Sequence, residues 1–152
     1  MTFERKTLIS LAAAGSAGLL GGAFVFQFLG YAPCEMCLWQ RWPHAAAILI
    51  GVLALISVPS AVLAWLGGLA AAITGGIGVY HTGVERDWWE GPTSCTGSGE
   101  LNVNNLLDMN APKLVLCDEV AWDLFGISMA SWNAVFSFGL MIIWIMAART
   151  TR

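Results

Sequence analysis

The chain has 152 residues, of which 57% are hydrophobic and 11% charged, with a net charge of −3 and a pI near 5.2. Soluble domains average about 45–50% apolar and about 25% charged residues. The composition therefore excludes an ordinary soluble domain and a disordered chain, and the acidic balance excludes a nucleic-acid-binding surface of the usual basic kind. The length allows one domain.

Charge-free runs cover 7–34, 42–84 and 124–148. A spanning helix needs about 20 apolar residues, so the first and last runs each hold one helix and the middle run holds two. Ser57-Val58-Pro59-Ser60 supplies the break, because proline cannot continue a helix. The expected spans are about 7–29, 38–57, 61–81 and 128–148. Arg5 and Lys6 precede an apolar stretch that runs on to Leu29, longer than a signal-peptide core of about 7–15 residues. The first span is therefore expected to be retained. Within it, Gly18 and Gly22 form a small-xxx-small pair of the kind that lets helices approach closely.

Cys34-Glu35-Met36-Cys37 follows the first span. This spacing brings two sulfurs into reach at a helix start, where free N–H groups and the helix dipole favour a thiolate. Pro33 suits the first helical position. Arg41 is one turn beyond Cys37 on the same face. It is the sole charge between Glu35 and Glu85, and an ionisable group at a membrane boundary is a functional candidate. Its bland alternative is a snorkelling anchor. Pro43 removes a helical hydrogen bond, and a helix from Pro43 to Ser57 would be only about 22 Å long, so a kinked helix that begins before Pro43 is expected. His44 and His81 lie at similar depth, as interfacial histidines or, at a stretch, paired haem ligands.

The segment from about 82 to 127 is the long loop. It holds eight acids against two bases between 85 and 123, and Cys95 and Cys117. Stretch 91–105 reads as mobile, and 101–109 as a short surface helix or an ordinary loop. Four spans put both termini on one side, with Arg5, Lys6, Arg149 and Arg152. That side is cytoplasmic by the positive-inside rule. The loop, all four cysteines and the aromatic residues Tyr31, Trp39, Trp42, Tyr80, Trp88, Trp89, Trp122 and Trp132 then face outward. An oxidising exterior favours disulfides. Cys34–Cys37 and Cys95–Cys117 are the pairing suggested by spacing, among three connectivities.

Two cysteine pairs on one membrane face can relay electrons by thiol–disulfide exchange. With no nucleotide fingerprint, a lipid-soluble quinone is the natural acceptor, and Arg41 could stabilise charge developing on its oxygen. The competing readings are a membrane scaffold with structural disulfides and a haem or metal electron carrier. A zinc site lacks a second close cysteine pair.

The residues Pro33 through Arg41, Tyr80-His81, Gly83-Val84-Glu85, Gly91 through Cys95 and the run Cys117 through Met129 resemble the disulfide bond formation protein B family. Gln40 stands where an acid is common in that family, and Pro43 interrupts the following turn. The resemblance implies an all-α integral membrane protein of the bacterial inner membrane: a single four-transmembrane-helix bundle over 1–152, with a long periplasmic loop between the third and fourth helices. It implies a protein-dithiol:quinone oxidoreductase that reoxidises a periplasmic thioredoxin-fold dithiol oxidase of DsbA type. Cys95 would be attacked by that partner, Cys117 would exchange with Cys34, and Cys37 would face ubiquinone or menaquinone. Arg41, His81 and Met129 would line the quinone site. No metal is implied.

Overall fold

The computed structural model describes residues 4–57, 60–96 and 115–150. Four helices dominate it: α1 (Arg5–Phe28), α2 (Glu35–Ile56), α3 (Ala61–Glu85) and α4 (Met129–Arg149). At 1.5 Å per residue they are about 32–38 Å long, enough to cross about 30 Å of hydrocarbon. By length and apolarity together, α1, α3 and α4 qualify as membrane spans. α2 is as long, but its first half carries Gln40, Arg41, Pro43 and His44. Large apolar side chains cover the outside of the bundle, among them Phe28, Leu49, Ile56, Val62, Leu69 and Ile142. Soluble monomers rarely expose so much contiguous apolar surface.

Local sequence sets the helix starts. Ser60 and Ser128 cap α3 and α4 by accepting from the N–H groups of Leu63 and Ser131, as N-cap serines do. Cys34 does the same for α2, its sulfur accepting from the Cys37 N–H at 3.2 Å. The cap falls on Cys34, so Pro33 lies outside the helix and not at its first position. α2 starts three residues before the expected span and runs unbroken through Pro43. α3 continues to Glu85, past the expected end at 81, because the Glu85 carboxylate finds the Ser128 hydroxyl across the bundle.

The helices close into a ring: α3 packs on α4 and α2, and α1 packs on α2 and α4. Small residues make this tight. Trp144 is fully buried, and a Cβ on Gly67 would stand 2.6 Å from its indole. Gly51 meets Ala13 equally closely. Gly18 and Gly22, the expected close-approach pair, have open space where a Cβ would be, among the described residues. They line a cleft instead. At one end Arg5 donates to the Ala147 and Thr150 carbonyls, tying both chain ends together and satisfying the last carbonyls of α4.

At the other end the connections fold over the bundle. Trp89 stacks on Tyr80 and donates to its carbonyl at 2.8 Å. Trp122 packs on Phe26, and Trp132 donates to the Leu124 carbonyl. Two short strands, β1 (Asp123–Leu124) and β2 (Ile127–Ser128), pair antiparallel. Phe125 and Gly126 join them with positive φ at both positions, the requirement of a two-residue hairpin whose twist matches its strands. The expected surface helix at 101–109 and most of the stretch 91–105 lie outside the described residues.

Candidate redox site

Both cysteine pairs meet at this second end. Cys95 and Cys117 are joined by a disulfide with a Cα separation of 5.3 Å. Cys34 and Cys37 are free thiols on the first turn of α2, their sulfurs 2.8 Å apart. Cys34, Cys95 and Cys117 belong to one buried cluster with Met36 and Val84, and Cys37 and Val115 pack against it. Folding thus seats the loop pair on the C-x-x-C, across more than fifty residues of sequence. Cys95 and Cys117 are 2% and 0% exposed.

The two thiols differ in environment. Cys34 donates to the Cys37 sulfur. That hydrogen bond first, and burial second, hold the Cys34 thiol well above the usual thiol range. Cys37 receives the proton's attraction at a helix start, the arrangement that favours sulfur as thiolate.

His81 stands over Cys34, with Nε2 3.6 Å from the sulfur, and also reaches the Cys117 backbone. The Glu85 carboxylate is 3.8 Å from the same nitrogen. Gln40 donates from Nε2 to the Met36 carbonyl at 3.2 Å and to His81 Nδ1 at 3.0 Å. Nδ1 therefore accepts, and neutral His81 carries its hydrogen on Nε2, toward Cys34. Cys34, Cys37 and His81 are close enough to share a metal ion. The Gln40 bond, however, keeps a proton on the nitrogen that would have to bind it.

Gln40 is one member of a buried polar network between α2, α3 and α4. Asn133 Nδ2 donates to Gln40 Oε1 at 2.7 Å and to Thr74 Oγ1 at 3.2 Å, while Thr74 Oγ1 donates to the Gln40 carbonyl. Asn133 Oδ1 faces His44 Nε2 at 2.9 Å. Thr74 and Asn133 were not singled out from the sequence, and Gln40 was noted only as a departure from the family pattern. Their signal was available as lone amide and hydroxyl groups inside apolar helices, which are costly unless paired.

Arg41, one turn beyond Cys37, lines the same cleft as Cys37. Its guanidinium turns to α1, donating to Gln27 Oε1 at 2.7 Å and lying 4.8 Å from the Phe24 ring centroid. It forms the rim of a cleft of about 370 Å³ walled by α1, α2, α4 and the 115–124 segment. Cys37, His44, His81, Met129 and Phe26 line that cleft as well. Its walls are mostly apolar, and two of the residues lining it, Arg41 and His44, each have a buried nitrogen, Nε and Nδ1, without a partner among the described residues. A flat, apolar ring with hydrogen-bonding oxygens fits such a surface.

The family profile for disulfide bond formation protein DsbB matches residues 5–147. A disulfide bond formation protein B 2 of Pseudomonas aeruginosa is 32% identical over 143 residues, covering 82% of this chain and 83% of the relative. Disulfide bond formation protein B of Pasteurella multocida is 32% identical, covering 79% of this chain and 73% of its own length. The Xanthomonas oryzae protein of that name is 29% identical over 87% of this chain and 83% of its own. No solved structure gives a significant match.

Proposed function

The chain belongs to the disulfide bond formation protein DsbB family, and on that premise we propose that it carries electrons from a soluble thioredoxin-fold dithiol oxidase to a membrane quinone. Membership and the apolar helices make it a multi-pass membrane oxidoreductase that generates disulfides. The finer reading takes α2 as the fourth span of a single domain over 1–152 in the bacterial inner membrane. Both termini are then cytoplasmic, and the segment of about 82–127 and all four cysteines are periplasmic. Basic residues at the Arg5 and Arg149 end support that orientation.

The observation that carries the proposal is the burial of both cysteine pairs in one cluster beside an apolar cleft. A thiolate of the reduced partner attacks Cys95, breaking Cys95–Cys117 and forming a mixed disulfide. The partner's second thiol resolves it, leaving the partner oxidised and the loop pair as two thiols. Cys117 then attacks Cys34 of a Cys34–Cys37 disulfide, and Cys95 closes on Cys117. The loop pair is again oxidised and Cys34 and Cys37 are thiols, which is the arrangement seen here. Forming the Cys34–Cys37 bond releases two electrons and two protons. A bound quinone, ubiquinone or menaquinone, supplies two carbonyl groups that become hydroxyls.

The chain's own residues prepare that last step. Cys34 donates into the Cys37 sulfur, making Cys37 the electron-rich partner facing the cleft. His81 Nε2–H holds Cys34. Arg41 offers a fixed cation where negative charge develops, and Met129 completes the apolar wall.

The test is oxidation of a reduced thioredoxin-fold partner by the purified protein with added quinone. Turnover is expected to stop on changing any of the four cysteines to alanine. With a reduced partner that lacks its second cysteine, attack on Cys95–Cys117 should stop at the mixed disulfide with Cys95, which accumulates with Cys117 as the released thiol. Full turnover in Cys37→Ala would overturn the mechanism.

A further inference from the structure

We infer that His44 is a hydrogen-bond acceptor for the reduced, hydroquinone form of the bound ring, fixed in that role by the Gln40–Asn133 amide chain. The inference rests on the quinone-site reading above and concerns which redox form the cleft prefers.

The polarity of the chain is set where there is no choice. The Met36 carbonyl can only accept, so the Gln40 atom 3.2 Å from it is the amide nitrogen. Gln40 Oε1 is then the atom facing Asn133, and it accepts from Nδ2 at 2.7 Å. Asn133 is oriented a second time by Thr74. The Thr74 hydroxyl gives its proton to the Gln40 carbonyl at 3.1 Å, so it can only accept from Asn133 Nδ2, at 3.2 Å. Asn133 Oδ1 is left facing His44 Nε2 at 2.9 Å. An amide oxygen requires a donor there, so Nε2 bears the hydrogen. Neutral imidazole has one N–H, and Nδ1 is a bare acceptor.

His44 is 3% exposed and lines the cleft, and Nδ1 has no partner among the described residues. A buried acceptor left unmade is costly, and a ligand donor removes that cost. A quinone carbonyl cannot, because it meets Nδ1 lone pair to lone pair. A hydroquinone hydroxyl can. Arg41 donates only, so it serves the oxygen of either form. The asymmetry favours the product of thiol oxidation, in which the two hydrogens lost by Cys34 and Cys37 reside on the ring oxygens.

The test uses the full-length chain in detergent with Cys34→Ser and Cys37→Ser, so that no electrons move. Anaerobic titration with decylubiquinone and with its hydroquinone, followed by tryptophan fluorescence, gives two Kd values. The hydroquinone is expected to bind roughly threefold to tenfold tighter, the range of one neutral hydrogen bond. His44→Leu should bring the two values together, mainly by weakening the hydroquinone. A second measurement needs no change at His44. Imidazole ¹⁵N spectra should show Nδ1 bare and Nε2 protonated before ligand, with Nδ1 shifting on addition of hydroquinone and not of quinone. Equal affinities at an unchanged His44, or hydrogen on Nδ1, would overturn this inference and leave the quinone site standing. Binding of neither form would overturn both.

Discussion

Gln40→Leu isolates what the buried amide does. Leucine nearly keeps the volume and removes both polar atoms. Three hydrogen bonds disappear: to the Met36 carbonyl, to His81 Nδ1 and from Asn133 Nδ2. Asn133 keeps Thr74 as an acceptor, but His81 Nδ1 loses its donor in a residue that is 3% exposed. An orphaned buried acceptor costs about 1–3 kcal/mol, and the neutral bond to Asn133 is worth about 1 kcal/mol. Leucine burial returns part of this, leaving a net loss of about 1–3 kcal/mol. For a chain of 152 residues each kcal/mol lowers Tm by about 2–4 °C, so the expected fall is about 2–12 °C, read by thermal unfolding in detergent. The chemical effect is separate. With Nδ1 released, the His81 hydrogen is no longer confined to the nitrogen facing Cys34, and the ¹⁵N pattern of the ring should become a mixture of tautomers. Gln40→Glu sharpens the comparison, because a carboxylate cannot donate to Nδ1 and places the hydrogen there instead. An unchanged Tm in Gln40→Leu together with an unchanged tautomer would refute the reasoning.

Arg41→Ala should raise the KM for quinone roughly tenfold or more, the loss of a charged hydrogen bond, while single-turnover exchange between the cysteine pairs is retained; an unmoved KM would remove Arg41 from the site. Gly67→Ala sets a Cβ 2.6 Å from the Trp144 indole, and the overpacking should cost about 1–3 kcal/mol in unfolding measurements with Cys34 reactivity unchanged. Trp89→Ala removes the ring that stacks on Tyr80 and covers Gly83. Reduction of Cys95–Cys117 by a small external thiol should then speed up severalfold, and an unchanged rate would show that the 86–92 connection does not shield the bond.

The helices were legible because charge is so costly in hydrocarbon that its absence marks long apolar segments, and three of the four helices qualify as membrane spans. The three runs without Asp, Glu, Lys or Arg locate α1, α3, α4 and the part of α2 beyond Arg41, and the break at Ser60 became the cap of α3. The errors occur where a polar group finds a partner that only folding supplies. α3 reaches Glu85 because Ser128 is across from it. Arg41 lines the same cleft as Cys37 and finds there an acceptor in Gln27, fourteen residues earlier, that no local pattern announces. Of the two pairs suggested by spacing, Cys95–Cys117 is bonded, while Cys34 and Cys37 stand together as free thiols. The seating of the bonded pair on Cys34 was implied by the family resemblance alone, because nothing local encodes how a long loop returns to the bundle. Gln40 and Asn133 are 93 positions apart, and their meeting depends on the rotation of two helices about their axes.

The same network bears on assembly and on chemistry. Inside a membrane, apolar side chains gain nothing from leaving lipid for one another, so helices associate through close packing and interhelical hydrogen bonds. Glycine and alanine supply the first around Trp144. Gln40, Thr74 and Asn133 supply the second, one from each of α2, α3 and α4. An isolated pair of such groups would have served association equally well. Here the chain ends on a histidine at each side, His81 against Cys34 and His44 in the cleft. Each histidine's hydrogen is thereby assigned to one nitrogen by bonds that also hold the helices in register. Any substitution that loosens α2 against α4 should therefore disturb both tautomers at once. Stability and the proton positions of the redox site should move together across a series of Asn133 variants, and variants at Gly67 should move stability alone.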